Sequence, residues 1–395
     1  MNMRTGSRAR FLGNAYTLLI LLTGTNLATP LYRGYQSAFG YPPLTTTLIF
    51  AVYVTALIPT LLLAGSLADA LGPRRVVLPA IGLAALGTLA FAFAENTGWL
   101  FAARILQGLA IGAASGALTA AIGESEPRGN QRTASLVATA ASVGGLGLGP
   151  LLSGALAQYT PLPHLLPFLA ELVLLIPAAF VAHTLPSTGT GARLRPALPR
   201  LPGPVRAVFF SHAAAVFLAF AVLGLFLSLV PAYLGSLSGS TDLLLTGATV
   251  ALLPAGSALA QLSGTRLRAV RPERAGLPLL AAGLGALLLA GNGGWLTLLC
   301  LAAVVAGIGH GLIFLGALRA ITAETPLPHR AEVFSAFYVV VYLGVGLPTV
   351  GVGLLSTALG LLGAVECFAG LAAVASLLLL IRLPGRRTAA ARTTA

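Results

Sequence analysis

Apolar residues fall along the chain in blocks about as long as a membrane-crossing helix, set apart by short polar breaks. A helix needs roughly 20 apolar residues to cross roughly 30 Å of hydrocarbon. The pattern predicts twelve such helices, over approximately 11–31, 44–64, 76–94, 99–121, 133–157, 165–185, 207–231, 243–263, 275–292, 294–319, 333–355 and 359–382. A membrane β-barrel would require segments of alternating polarity about ten residues long, and none is present. Glycines and prolines inside the blocks, as in Gly144 to Pro150, suit helices in a bundle, where neighbours satisfy the freed backbone groups. Met1 to Tyr32 has the basic-then-apolar order of a signal peptide, but the run is too long and carries Asn26 and Pro30, so it reads as the first span. The stretch 186–206, rich in Pro, Gly and Arg, is too polar and broken to span. It reads as a linker between a six-helix unit, 1–185, and a second, 207–395.

Charge adds a direction to this picture. All 23 basic residues are arginine, and in this topology every one except Arg33 and Arg104 falls on one side. The positive-inside rule makes that side cytoplasmic and puts both ends of the chain there. A bacterial cytoplasmic (inner) membrane is the expected location. The net charge of +13 reads as topology and contact with anionic membrane lipids. Arginines scattered over short loops make no nucleic-acid face. Cys300 and Cys367 lie in separate spans without CxxC spacing, which suggests packing residues and neither a disulfide nor a metal site. No GxxxxGK[ST], HExxH or GxSxG pattern occurs, the five histidines are dispersed, and no cofactor is expected. Neither an ATP-driven machine nor a membrane enzyme is indicated. A scaffold or sensor would ordinarily bring a soluble domain, and the longest loop here is about 20 residues.

The two units repeat each other. A shift of about 198 residues lays Gly65-Ser66-Leu67-Ala68-Asp69-Ala70-Leu71-Gly72-Pro73-Arg74-Arg75 over 264–274, with Gly264, Pro272 and Arg274 coinciding. Gly108 falls on Gly307 and Pro127 on Pro326 in the same way. Parallel halves with a site near the midplane between them are a known transporter architecture.

Three motifs carry a family resemblance over nearly the whole chain: Gly65-x-x-x-Asp69-x-x-Gly72-Pro73-Arg74-Arg75 after the second span, Arg104-x-x-Gln107-Gly108 in the fourth, and Gly145-x-x-x-Gly149-Pro150-x-x-Ser153-Gly154 in the fifth. They resemble the signatures of the major facilitator superfamily, the last of them the motif of its drug/proton antiporter branches. The resemblance implies an all-α integral membrane protein of twelve transmembrane helices in two pseudo-symmetric six-helix bundles, most often monomeric. It also implies that the fifth span packs on the eighth, and that Asp69 caps the start of the eleventh span near His329 to Glu332, latching the halves. Arg74 or Arg75 would then hold Glu124 or Glu126.

Each motif also has a reading of its own. A carboxylate at a helix N-terminus is worth up to about 2 kcal/mol when partly buried. Gly145, Gly149 and Gly154 allow close packing in lipid, and Pro150 adds a kink. Arg104 carries a permanent charge at membrane depth, which is costly without a partner or a water-filled cavity, so it marks a pathway or a structural pairing. Glu171 or Glu95 enters from the same side and is its expected partner.

Further polar residues at depth complete the candidate set. Asn26, Tyr53, Arg104, Gln107, His310, Tyr338 and Tyr342 are expected to line a substrate cavity. Glu171, His310 and Glu366 are the candidates for proton coupling, since a desolvated carboxyl or an imidazole can take up a proton. Many drug/proton exchangers of the family carry an acid in the first span. This chain has Thr23, Thr25 and Asn26 there. Proton-coupled efflux of a small amphipathic solute is the leading expectation, with a sugar or organic-acid importer or facilitator of the same fold as the alternative.

Overall fold

The computed structural model describes residues 2–191, 201–264, 271–326 and 329–382. They are helical throughout, with no strand among them. The helices are α1 (Asn2–Gly24), α2 (Tyr32–Phe39), α3 (Pro43–Leu71), α4 (Pro73–Ala92), α5 (Thr97–Ser125), α6 (Gln131–Tyr159), α7 (Leu166–His183), α8 (Gly203–Ser228), α9 (Val230–Ser238), α10 (Leu243–Gly264), α11 (Pro272–Gly293), α12 (Leu296–Glu324) and α13 (Arg330–Arg382). Proline at the first turn opens α3, α4 and α11, where its missing N–H costs nothing. Asn96 Oδ1 caps α5 through the Gly98 N–H at 2.9 Å, and Asn130 Oδ1 caps α6 through the N–H groups of Arg132 and Thr133.

The run α13 contains two spans. Its 53 residues would extend roughly 80 Å if straight, far more than one membrane thickness. Gly360, at φ 71° and ψ 170°, breaks the run in a region of backbone space that only glycine visits freely. The break falls where the expected eleventh and twelfth spans meet, and the count of twelve is met.

The first span of each half departs from the expected continuous helix. α1 stops at Gly24, and a 3₁₀ turn, Thr29–Leu31, leads into the short α2. α8 stops at Ser228, and α9 follows at once with Pro231 in its first turn. Pro30 and Pro231 remove a backbone donor at matching places in the repeat, so neither helix runs straight through. α8 also begins inside the expected linker, while 186–191 is docked on the first half as described below. Residues 265–270, part of the repeat's second copy, lie outside the described set.

Packing separates lipid-facing from buried helices. Val173, Ile176 and Phe180 on α7, and Leu371, Val374, Leu378 and Ile381 on the second part of α13, are exposed at spacings of three and four. An exposed apolar stripe at helical period faces lipid, so the sixth and twelfth spans are peripheral. Between the halves, α6 packs on α10 and α3 on the first part of α13.

Candidate functional site

The site is organised around the break in the first span. Ending α1 at Gly24 leaves carbonyls without helical partners, and α5 supplies donors for them. Arg104 Nη1 donates to the carbonyl of Thr25 and, at 3.0 Å, to Gln107 Oε1. Gln107 Nε2 donates to the carbonyl of Gly24 at 3.1 Å. Arg104 Nε donates to Tyr32 Oη at 2.7 Å, beyond the break. A cation at the C-terminal end of α1 also has the favourable sign for the helix dipole. The guanidinium lies 5.4–5.9 Å from the ring centres of Phe91, Tyr32, Phe50 and Tyr53, within cation–π range.

Arg104 is only 1% exposed, and Gln107 and Asn26 only 3%. Arg104 and Gln107 therefore brace the break, while the Asn26 side chain is buried with its Nδ2 unpartnered among the described residues. No carboxylate lies in ion-pair range of Arg104 among the described residues. The expected pairing with Glu171 or Glu95 is not made. Glu171 of α7 is engaged by α4 and α1, where its Oε2 accepts from Thr88 Oγ1 at 2.9 Å and its carboxyl rests on Gly24. The Thr25 carbonyl, Gln107 Oε1 and Tyr32 Oη take the place of a carboxylate at Nη1 and Nε, and Nη2 is buried with no hydrogen-bond partner among the described residues.

The remaining cavity candidates lie between the halves and in the second half. Tyr53 of α3 and Tyr342 of α13 are neighbours and join the cores of the two halves. Tyr338 is more than one-third exposed although it lies within the expected eleventh span. From it an aromatic chain runs through Phe337, Phe314 and Phe220 to His310, with centroid spacings of 5.8, 5.7, 5.5 and 4.6 Å. His310 is buried, and its Nδ1 bonds Ser257 Oγ at 2.9 Å, which in turn accepts from Gln261 Nε2 at 3.0 Å. Glu366 stands apart, beside Tyr233 and Gly291 at the edge of the second bundle. Sequence reasoning missed Tyr32, Phe50, Phe91, Ser257 and Gln261. The i, i+4 spacing of Ser257 and Gln261 was the signal for that pair.

The halves pack tightly on the face away from the arginines. A side chain at Gly154 would strike the Leu243 carbonyl, and one at Gly247 the Pro150 carbonyl. Leu243 N–H donates to Gln158 Oε1 at 2.8 Å. Arg33 of α2 donates to the Ser240 carbonyl at 3.0 Å and lies against Gly235 of α9. Gly145 and Gly149 do the same work within the first half, where a Cβ would meet the carbonyls of Leu19 and Thr23.

The arginine-rich face differs. Gly65 meets no neighbour, Asp69 is exposed, and its carboxylate has no partner among the described residues. The expected cap from Asp69 to the start of α13 is not made in this conformation. The loop after α3 is held instead by 186–191: Thr190 N–H donates to the Asp69 carbonyl at 2.8 Å and Arg74 N–H to the Pro186 carbonyl at 3.1 Å. Gly72 has φ 93°, and a Cβ there would strike the backbone of Ser187 and Thr188. The expected hold of Arg74 or Arg75 on Glu124 or Glu126 is also not made. Arg74 Nη2 contacts the His183 ring at 2.6 Å, Arg75 points outward, and Glu126 accepts from the N–H groups of Arg128 and Asn130. A cavity of about 1020 Å³ opens here, lined among others by Arg10, Asn14, Asp69, Glu124 and Ser125. Among the described residues no cluster of His, Cys, Asp and Glu has the spacing of a metal site.

Comparison with known proteins agrees with this architecture. Three solved structures superpose on nearly the whole chain. A nucleoside transporter, NupG, aligns with a TM-score of 0.76 at 12% identity, covering 95% of this chain and 100% of that one. The xylose transporter XylE from E. coli, in a partially occluded inward-open conformation, gives 0.74 at 14% identity, covering 96% and 98%. A bacterial homologue of the human lysosomal transporter Spinster, inward-facing and unoccupied, gives 0.72 at 16% identity, covering 97% and 96%. At those identities the likeness is one of fold. The puromycin resistance protein pur8 of Streptomyces alboniger is 36% identical over 149 residues, which are 37% of this chain and 29% of that protein. The family model described as Major Facilitator Superfamily matches residues 15–293, most of the chain. The chain belongs to the major facilitator superfamily and is a secondary transporter.

Proposed function

We propose that this transporter exports a small amphipathic organic compound in exchange for protons across a bacterial cytoplasmic membrane, with the arginine-rich face and both termini in the cytoplasm. The observation that carries this reading is the close approach of Pro150 and Gly154 of α6 to α10 on the far face, while on the arginine-rich one Gly65 meets no neighbour and the Asp69 carboxylate has no partner among the described residues. A conformation open toward the arginines presents Tyr338 and the aromatic chain behind it to solutes arriving from that side. The partial likeness to a puromycin resistance protein supports outward transport. Alternating access then consists of opening the far-face contacts and closing Asp69 onto the start of α13.

Glu171, His310 and Glu366 are the intramembrane groups available to carry the proton, since the first span offers no acid. The test is puromycin flux in proteoliposomes under an imposed pH gradient. Export coupled to protons predicts puromycin movement that follows the gradient and collapses when the gradient is dissipated. Gradient-independent equilibration of a sugar or nucleoside, with no puromycin movement, overturns it in favour of a facilitator.

A further inference from the structure

We propose that His212 and Glu273 form a proton-binding site in the second half, through which the coupling proton is exchanged with the arginine-rich side. The inference rests on the proton-coupled reading above and adds to it a group that the three intramembrane candidates do not include. His212 Nδ1 and Glu273 Oε2 are in direct hydrogen-bond contact between α8 and α11. The two side chains differ in exposure. The imidazole is 17% exposed and the carboxylate 5%. Among the described residues Glu273 Oε1 is buried without a hydrogen-bond partner, and the side chain is backed by Gly316 of α12.

This arrangement differs from a structural ion pair in two ways. A buried carboxylate ordinarily has its remaining lone pairs satisfied, and here one oxygen is left bare. The neighbour that bonds it is also the one side chain whose protonation changes near neutral pH. When the pair is anionic, a neutral imidazole donates its Nδ1 proton to the carboxylate. Uptake is balanced in one step: a hydronium ion on the exposed side gives its proton to Nε2 and leaves as water, while the Nδ1 proton passes to Oε2. The products are a neutral carboxylic acid and a neutral imidazole protonated on Nε2, so the net charge of the pair goes from −1 to 0. Release reverses the step through the same imidazole.

The charged residues on the elements packed around the pair are arginines Arg206 on α8, Arg271 and Arg274 at the start of α11 and Arg319 on α12, together with Glu324 of α12 and Arg330, Glu332, Glu366 and Arg382 of α13. Burial raises the Glu273 carboxyl above its usual range, while His212 and, less strongly, Arg271 favour the anion. Movement of these arginines relative to Glu273 between the two states of the cycle would change which form is favoured. In the repeat, Glu273 occupies the place held by Arg74 in the first half. The inverted charge gives the second half an acid in the first turn of α11, where the helix dipole accepts it.

The test is an infrared pH titration of the full-length protein in lipid vesicles, with no substrate added, following the carbonyl stretch of protonated carboxyl groups. Glu273→Gln should remove one titrating band that Glu171→Gln leaves in place, and His212→Asn should shift its midpoint. Wild-type titration in both Glu273→Gln and His212→Asn overturns the proposal. Because this readout needs no transport, its failure is separate from failure of the antiport reading, which the puromycin flux tests. If His212→Asn alone fails to fold, loss of the band in Glu273→Gln with the Glu171 band retained still supports the site, and its persistence still refutes it.

Discussion

Arg104 Nε donates to Tyr32 Oη at 2.7 Å, and the next residue along, Arg33, reaches across to the Ser240 carbonyl of the other half at 3.0 Å. The buried cation of the fourth span is thereby tied to the contact that closes the far face. Its other bond, to the Thr25 carbonyl, fixes where the first span bends. Charge at depth is here part of the scaffold that sets the angle of α2.

Replacing Arg104 therefore has a structural cost. Arg104→Ala orphans the Thr25 carbonyl, Tyr32 Oη and Gln107 Oε1 in a buried site, each at about 1–3 kcal/mol. Arg104→Lys keeps the charge but brings a compact ammonium on a flexible stem in place of the planar fork that serves three partners. Both variants should unfold at lower temperature in detergent than the wild type, alanine by more, and both should lose puromycin flux. An alanine variant with wild-type thermal stability would show that the brace contributes little.

Gly154 and Gly247 provide a direct test of the far-face seal. A Cβ at either position meets a backbone carbonyl of the opposing helix, and backbone cannot rotate away as a side chain does. Gly154→Val and Gly247→Val should each hold the halves apart there. Thiol labelling of a single cysteine placed at Gln158, whose side chain bonds the opposing Leu243 N–H, should rise several-fold over the same cysteine in the parent. Unchanged labelling would mean that the helices shift without opening.

The sequence showed the spans plainly because apolar length is a one-dimensional property, and the lipid-facing stripes of α7 and α13 follow from helical period alone. The bend at Gly24 was less legible. Hydropathy runs straight through Gly24, Thr25 and Asn26, and only Pro30 hinted at a break. The partner of Arg104 could not be read at all, since a main-chain carbonyl has no residue signature, and reasoning from side chains pointed to Glu171. The His212–Glu273 contact joins residues 61 apart in the chain, and only the packing of α8 on α11 reveals it.

Asp69 makes a conditional prediction. Its carboxylate has no partner among the described residues in this conformation, so Asp69→Asn should leave that state's stability nearly unchanged. If Asp69 caps the start of α13 in the other state, removing its charge weakens only that state and shifts the balance. Labelling of a cysteine at Ala117, in the cavity beside Asp69, should then rise while thermal stability holds. Loss of stability with unchanged labelling would place Asp69 in the fold of this conformation instead.

His164 should make the far-face seal sensitive to acid. It lies in the loop before α7, its ring 5.3 Å from that of Tyr35 and in contact with Gly34, on the same short helix as Arg33. Burial holds its imidazole below the usual histidine value, so the neutral ring is the form that fits. With the native pKa depressed, the packing is at full strength above the unfolded value of about 6.5 and weakens as pH falls below it. The ring packs on the neutral phenol of Tyr35, and no charged group contributes to the shift, so nothing compensates the protonated form. Acidifying the far side should therefore loosen α2 and raise labelling of a cysteine at Gln36, with the rise beginning below about pH 6.5. His164→Phe keeps an aromatic ring against Tyr35 without a titrating nitrogen, and should abolish the pH dependence while leaving labelling at neutral pH unchanged. A pH response that survives in His164→Phe would assign it to another group.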